Sequence, residues 1–455
     1  MDLKLFNVYK LLIKQFFRSK TVLLAFGILL FLGVLGIATG KQFLNQKEIA
    51  INKTIEQQEK HLKRQVSFHK DDIGLLSYYL KFSFINPLNP IAGIAIGQSD
   101  VNAHIQNVTI LNLEGQKYDT DLVNPMRLQA GNLDLSFLII FLFPLVIIAL
   151  NFNILSEEEE NGTWKMVTIQ GTSTFKYLLL KLSIRLLFIS IVLGVLFLLA
   201  KIILGIPFTT AFWQMISISY VYILFWFALC FFVILLRKSS NTNAITLLTT
   251  WLVLVVFLPV LVSNYIANKY PVEEAFSMTI KQRDEYHKRW DTDKEETMDK
   301  FYKHYPQFSK YKLQKEGFTW LWYYAMQQMG DDESKLERDQ MYDKIDKRER
   351  LSKQIAQFFP PLQVQLSMNA IANTSLTDQV RFLNATTDFH ERVRLKFYPK
   401  IFENDPVDSV DWNEFKPEYY EDSSNFNLFK TVFPIVLVTL LLLGFSFFIN
   451  AKKFS

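Results

Sequence analysis

Thr21–Thr39 reads TVLLAFGILLFLGVLGIAT, a run of apolar residues without a charge. A helix needs about 20 such residues to cross the hydrocarbon core of a bilayer. The same criterion selects five more blocks: Ser136–Ile154, Leu178–Leu204, Trp213–Leu236, Ala244–Ser263 and Leu428–Ile449. The sequence therefore predicts a mainly α-helical, polytopic membrane protein with six transmembrane helices.

The composition is uneven along the chain. Of the 455 residues, 50% are hydrophobic and 20% are charged, and most of the charged ones lie between the apolar blocks. The net charge of +5 is small for this length, so charge makes no case for binding nucleic acid. A single cysteine, Cys230, excludes an intrachain disulfide, so the polar segments must be stabilised by packing.

Lysine and arginine in the short flanks of the spans set the expected orientation. They cluster before the first block, between the fourth and fifth, and after the sixth: Lys4, Lys10, Lys14, Arg18, Lys20, Arg237, Lys238, Lys452 and Lys453. Because an even number of crossings places these flanks on one side, we expect residues 1–20, 155–177 and 450–455 in the cytoplasm. Two large segments, residues 40–135 and 264–427, are then extracytoplasmic.

The N-terminal part of the chain leaves two interpretations open. Residues 1–20 form either an amphipathic helix in the membrane interface or a plain extension of the first span. The apolar block itself is expected to be an uncleaved signal anchor, because its end is a poor cleavage site. Gly36 and Gly40 form a small-xxx-small pair, which makes them a candidate seam between two copies of the chain.

Each polar segment has its own pattern. The first begins with a polar helical stretch and continues with turn and strand signals. The second is predicted to be mostly helical, with a long helix rich in i,i+4 ion pairs that ends at the Pro360-Pro361 pair. All the histidines lie in these segments and are predicted to be surface residues: His61, His69, His104, His287, His304 and His390.

Motifs for nucleotide binding or catalysis do not fit this sequence. The segment GIATGK at residues 36–41 has the wrong glycine spacing for a phosphate-binding loop. His390-Glu391 lacks the second histidine of a zinc protease helix, and no Gly-x-Ser-x-Gly elbow occurs. We therefore expect no enzyme activity, cofactor or metal in this chain.

The loop between the second and third spans reads NFNILSEEEENGTWKMVTIQGTSTFKYLLLKL from Asn151. Four glutamates end a membrane helix, Gly162-Thr163 breaks the chain, and Trp164–Ile169 forms a short amphipathic piece. A charged turn followed by a short helix across the membrane face is typical of a docking element. The alternative is a solvated loop whose ends snorkel to the interface.

This loop resembles the permeases of the ABC-2 type, in which a glutamate-rich turn ending Glu-x-Gly-Thr precedes a coupling helix. The matching residues are Glu158, Glu160, Gly162 and Thr163, followed by Trp164, Lys165 and Ile169 of the coupling helix and by Lys181 at the start of the third span. The sequence departs from that pattern at Glu159, where a basic residue is common, and at Gly171, where a proline is common.

The resemblance implies a mechanism and a set of partners. A separate ABC ATPase subunit, which holds the ATP and magnesium, binds under the coupling helix, and a second permease, identical or paralogous, completes the transporter. The resemblance also implies a multi-pass protein of the bacterial inner membrane that exports its cargo. Because the spans carry no buried charge, a lipidic, peptidic or otherwise amphiphilic cargo is favoured over a small ion.

A second resemblance concerns the first polar segment. Asn89–Val108, with the tetrad Gly97-Gln98-Ser99-Asp100, looks like the outer loop of a bacterial ABC-2 subgroup that carries a domain of unknown function numbered 3526. Residues 264–427 resemble no family. Membrane lipids and periplasmic or outer-membrane proteins are the further partners expected.

Two other classes of function remain open on the sequence. A membrane-anchored sensor or assembly scaffold would explain the size of the second polar segment but leaves the glutamate turn unexplained. An intramembrane enzyme would need ionisable groups within the spans, and those present lie near the span ends.

Overall fold

The computed structural model of the protein describes residues 3–117, 132–162, 164, 174–272, 280, 284, 288–314, 317–422 and 426–454. The fold is mainly helical, and six of the described helices are long and apolar enough to cross a membrane. The prediction of six such helices is confirmed.

The candidate spans and the N-terminal helix form one bundle. Its helices are α1 (Leu3–Arg18), α2 (Lys20–Phe68), α5 (Leu135–Glu160), α6 (Thr174–Leu204), α7 (Thr210–Leu235), α8 (Ser240–Lys269) and α13 (Leu428–Phe454). Helix α7 lies at the centre, with 78% of its most apolar window buried, whereas α8 has only 11% buried and lies at the periphery. Ser19 has an extended backbone, so α1 is a separate helix and does not continue α2.

The polar segments contribute the remaining elements. The helices are α3 (Ile73–Tyr79), α4 (Glu114–Lys117), α9 (Lys294–His304), α10 (Trp320–Ala356), α11 (Pro360–Ile371) and α12 (Leu376–Glu403). Short 3₁₀ turns occur at Pro90–Gly93, Pro306–Phe308, Val407–Ser409 and Trp412–Glu414. The strands are β1 (Phe82–Ile85), β2 (Ile105–Val108) and β3 (Glu418–Tyr419).

The two polar segments fold together into one unit, which we call the polar domain. Strand β1 pairs antiparallel with β2 and parallel with β3, which comes from the second segment, in the order β2-β1-β3. Aromatic side chains fill the core beneath the sheet. The ring of Phe84 stacks on those of Phe389 and Phe382, with centroids 4.8 and 5.5 Å apart.

Helix α2 links the bundle to the polar domain without a break. Its polar half is stabilised by i,i+4 pairs such as Lys63–Glu59, as expected for a helix in water. Gly36 and Gly40 pack closely against other segments of the same chain. A Cβ on Gly40 would lie 1.9 Å from the carbonyl oxygen of Gly93, and one on Gly36 would lie 3.0 Å from Asp134. The idea that this pair forms a seam between two copies is therefore wrong, because close intrachain packing already occupies it.

Two of the bundle helices contain π-helical turns just before a proline. In α5 the turn is Leu138–Leu142 and the proline is Pro144; in α8 the turn is Leu252–Phe257 and the proline is Pro259. Pro144 has no N–H, so it cannot donate to a carbonyl of the preceding turn. The hydroxyl of Tyr222 donates to the carbonyl oxygen of Ile140 in that turn at 2.9 Å. A neighbouring helix thus satisfies the backbone, as lipid surroundings require.

Helix α10 confirms the prediction of a long charged helix. Pairs such as Lys353–Glu349 at 3.0 Å follow the i,i+4 pattern. It ends at Ala356, and Pro360 begins α11. One face of α11 is buried in the core of the bundle through Val364, Met368 and Ile371. This helix therefore joins the polar domain to the spans.

A buried ionic cluster connects the two polar segments inside the polar domain. Arg394 is 1% exposed; its guanidinium lies 2.8 Å from Asp331 and donates to the carbonyl of Ile110 at 3.0 Å. Asp331 also accepts from the N–H of Leu113 at 2.7 Å. Removing one partner of such a buried pair costs about 3–5 kcal/mol, so this cluster holds the segments together.

His390 contradicts the prediction that the histidines lie on the surface. It is 2% exposed, and its Nε2 lies 2.9 Å from the carbonyl oxygen of Thr109. Burial lowers the pKa of this imidazole well below its usual value. The residue pattern of α12 alone does not reveal that His390 is buried, because the residues that cover its side chain come from the first polar segment.

Candidate coupling site at the glutamate turn

The glutamate turn is a short helix, Ser156–Glu160, at the end of α5. It lies at the end of the bundle that also holds α1 and the C-terminal part of α13, where the ring of Phe447 lies 5.1 Å from that of Phe175. We call this the glutamate end of the bundle, and the opposite end, which carries the polar domain, the domain end. Each of the four glutamates contacts a different part of the chain.

Glu158 binds the start of the third span. Its carboxylate lies 2.7 Å from Nζ of Lys181 and accepts a hydrogen bond from the hydroxyl of Tyr177 at 3.1 Å. Lys181 also lies 4.7 Å from the centroid of the Tyr177 ring. The side chains of Lys181 and Glu158 are only 13% and 21% exposed, so solvent screens this pair less than it would a surface ion pair.

Glu160 binds the start of the fifth span. Its two carboxylate oxygens accept hydrogen bonds from the N–H of Ser240 at 2.8 Å and from its hydroxyl at 2.9 Å. Ser240 is the first residue of α8, where the partial positive charge of the helix N-terminus attracts an anion. Glu159 lies 4.0 Å from Arg237 in the connection that precedes α8. The turn therefore contacts the second, third and fifth spans at once.

Glu157 differs from its neighbours. Its carboxylate accepts a hydrogen bond from the side chain of Asn153 at 2.6 Å, within the same candidate span. It therefore provides a matched carboxylate that does not bridge to another helix in any described hydrogen bond.

Gly162 ends the turn. Its φ of +73° lies in the left-handed region that favours glycine, and no atom lies within 4 Å of a Cβ built on it. The indole of Trp164 then packs on the bundle, with its centroid 6.3 Å from that of Tyr177. Thr163, Lys165 and Ile169 lie outside the described residues, and so does most of the coupling helix predicted at 164–169.

A cavity of about 650 Å³ adjoins the turn. It lies between α1, α5 and α6, and residues of all three line it, including Phe16, Glu157 and Arg185. Phe16 is 9% exposed, and its ring lies 5.3 Å from that of Phe188 in α6. Helix α1 is therefore packed beside the glutamate turn.

The Gly97–Asp100 tetrad lies at the domain end, far from the glutamate turn along the spans. Gly97 has a φ of +55°, and a Cβ there would lie 2.7 Å from the carbonyl oxygen of Thr374. The N–H of Gln98 donates to the same oxygen at 3.1 Å, and Asp100 accepts from Asn132 at 2.8 Å. The N–H of Ser99 donates to the carbonyl oxygen of Ile96 and closes a turn. The tetrad therefore fastens the first polar segment to the turn between α11 and α12.

The comparisons with known proteins bear on the polar domain. A family described as a domain of unknown function (DUF3526) matches residues 277–420, which is less than half of the 455-residue chain. No curated protein and no solved structure matches the chain.

The family match supports the resemblance to the DUF3526 family over residues 277–420 but corrects its location, and no family match bears on the resemblance to ABC-2 permeases. The matched residues lie in the second polar segment, for which no relative was expected, and do not include the tetrad at 97–100. The structure explains how the two regions are related, since Gly97 and Gln98 contact Thr374 within the matched part.

Sequence reasoning found the glutamates and missed their partners. Tyr177, Arg237 and Ser240 carry no motif, and only the fold brings them to the turn. A signal was present at Ser239 and Ser240, which follow two basic residues and precede an apolar block, as at a capped helix start. The arrangement links the ends of three candidate spans, the second, third and fifth, at one charged turn.

Proposed function

We propose that this chain is the permease subunit of an ATP-driven ABC-2 type transporter, and that it exports an amphiphilic, lipidic or peptidic cargo. It lies in the bacterial inner membrane with both termini in the cytoplasm, so that the glutamate end faces the cytoplasm and the polar domain lies outside. A separate ATPase subunit binds at the glutamate turn, and a second permease, identical or paralogous, completes the transporter.

One observation supports this proposal more than any other: the glutamate turn is bonded to the starts of two other spans. Glu158 holds Lys181 and Glu160 holds Ser240. A force applied by the ATPase to Trp164 and the residues after it therefore reaches the third and fifth spans directly. A connector with only solvated carboxylates would transmit no such force.

The strength of these contacts sets what a mutation does. A charge-assisted hydrogen bond is worth about 1.5–3 kcal/mol when shielded, and an exposed ion pair is worth under about 1 kcal/mol. The Glu158–Lys181 pair, at 13% and 21% exposure for the lysine and the glutamate, lies between these limits. Such a loss weakens coupling between the turn and the spans but leaves the bundle folded.

The experiment that tests the proposal uses the chain copurified with its ATPase subunit from native membranes. We expect Glu160→Gln and Gly162→Ala to reduce the cargo-stimulated ATPase rate several-fold, while the chain still inserts and folds. The matched controls are Glu157→Gln, whose described hydrogen bond stays within its own span, and Gly205→Ala, whose φ of +70° carries the same backbone cost at the domain end.

Stimulation that survives both site variants, or falls equally in both controls, would show that the turn is a solvated connector. Failure to recover any ABC ATPase with the full chain would instead favour the second candidate, a membrane-anchored sensor or scaffold. That candidate draws support from the polar domain, whose core is built by residues of both polar segments.

A further inference from the structure

Helix α11 has a second face, opposite the one buried in the bundle core, that lines two cavities. Val364 and Met368 point into the bundle core, whereas Leu362 and Leu366 line cavities on the other side. The cavities have volumes of about 530 and 350 Å³. Both are lined by Leu366 and Ser375, so they adjoin along α11 and form one surface, which we call the α11 groove.

Apolar side chains line one part of the α11 groove. Leu362 and Leu366 of α11 face Val262 and Ile266 of α8, with Leu376 at the start of α12. Helix α8 is the least buried of the candidate spans, with 11% of its apolar window covered. The apolar part of the groove thus borders the side of the bundle where lipid chains lie.

Each of the two adjoining cavities has a cation in its lining. Arg348 lines the larger cavity, and its guanidinium donates to the carbonyl oxygens of Tyr270 at 2.7 Å and Ala267 at 3.4 Å. Lys430 lines the smaller cavity. Within the described part of the chain neither side chain forms an ion pair with a carboxylate, whereas the two carboxylates of the linings, Glu349 and Asp378, pair with Lys353 at 3.0 Å and with Arg381 at 2.5 Å.

The height of the groove matches the headgroup region. Candidate span α8 ends at Lys269, and the last span begins at Leu428, two residues before Lys430. Arg348 reaches the carbonyl groups that end α8. Basic side chains at this level contact lipid headgroups, and basic pockets between membrane helices bind anionic ones.

We propose that the α11 groove binds an anionic amphiphile, with a phosphate head held by Arg348 and Lys430 and an acyl chain along Leu362 and Leu366. Its use as the exit site for exported cargo rests on the proposed function, which it deepens by naming the cargo as a lipid-like anion. Binding itself requires only the folded chain in a membrane or detergent.

Native mass spectrometry of the full chain in neutral detergent tests this with phosphatidylglycerol, phosphatidylcholine and glycerol 3-phosphate as probes. Each basic residue near a headgroup is worth about five-fold in affinity, so two give about a thirty-fold preference for phosphatidylglycerol over phosphatidylcholine. Arg348→Gln with Lys430→Gln should abolish that preference. The control pair Lys347→Gln with Arg350→Gln removes the same charge from exposed, intrahelical ion pairs and should retain it.

Two further variants guard against misfolding. Lys430→Gln alone should reduce the preference about five-fold, and Leu366→Trp, which places an indole where the two cavities adjoin, should weaken binding of both lipids at least ten-fold. The proposal is overturned if the double variant keeps the preference, if Leu366→Trp binds phosphatidylglycerol normally, or if glycerol 3-phosphate competes as well as the lipid. No ATPase is present in this assay, so its outcome is independent of the coupling experiment.

Discussion

Gly97→Ala should weaken the junction between the first polar segment and the turn that joins α11 to α12. Two effects add at this position. The φ of +55° costs an L-residue about 1–2 kcal/mol. The new Cβ would also lie 2.7 Å from the backbone oxygen and the hydroxyl of Thr374, and overpacking of this kind costs about 1–3 kcal/mol.

The expected destabilisation is therefore about 2–5 kcal/mol, and two other glycines separate its causes. Gly205 has a φ of +70° with no atom within 4 Å of its Cβ, so Gly205→Ala should cost only the backbone part, about 1–2 kcal/mol. Gly194 is helical and equally open, so Gly194→Ala should be neutral or stabilising by up to about 1 kcal/mol.

Tryptophan fluorescence during heating of the detergent-purified chain gives the order of stability, and hydrogen exchange locates the change. The amide of Gln98, which donates to Thr374, should exchange faster in Gly97→Ala, while the amides of α7 stay protected. If Gly97→Ala unfolds no earlier than Gly205→Ala, the close approach to Thr374 does not stabilise the junction and the reasoning is wrong.

Three further predictions follow from buried polar groups. In a urea titration, Arg394→Met should lower the free energy of unfolding of the polar domain by about 3–5 kcal/mol. The control Arg392→Gln should lower it by under about 1 kcal/mol, because the side chains of the Arg392–Glu418 pair are 56% and 50% exposed. Because burial lowers the pKa of His390 in the folded chain, its contribution to stability is present above the unfolded pKa of about 6.5 and is lost as the pH falls. The Tm should therefore fall between about pH 6.5 and 5, and it should fall less in His390→Gln. The same dependence of Tm on pH in both proteins would contradict this. Tyr222→Phe removes the hydroxyl that donates to the carbonyl of Ile140 and should lower stability by about 0.6–1.7 kcal/mol. The control is Tyr220→Phe, at a side chain that is 39% exposed. If both variants have the same Tm, the π-helical turn does not need the hydroxyl.

The candidate coupling site and the α11 groove lie at opposite ends of the bundle. Helix α8 takes part in both, since Ser240 at its start binds Glu160 and Ile266 near its end lines the groove. Its π-helical turn at Leu252–Phe257 lies between them. In the proposed transporter this helix would carry movement from the ATPase to the cargo site.

Much of the architecture was predictable from the sequence because its signals are local. A block of about 20 apolar residues needs no distant partner to be recognised as a span. The same holds for the polar helical stretch after the first span, for the ion pairs of α10, and for the break before Pro360, which depends on the residues next to it. The glutamates of the turn were visible for the same reason. That the polar stretch continues the first span as one helix was not predicted.

Only the tertiary structure decided what those local features contact. Glu160 meets Ser240, His390 is covered by the segment that carries Thr109, and Gly40 packs against Gly93. Each of these contacts joins residues that lie far apart in the sequence, so no periodicity or spacing contains it. The sequence by itself determined the spans, the long helices and the charged turn, because neighbouring residues specify them. The tertiary structure decided which charges are paired and which glycines are in close contact with another segment, because burial depends on residues that folding brings together from distant parts of the chain.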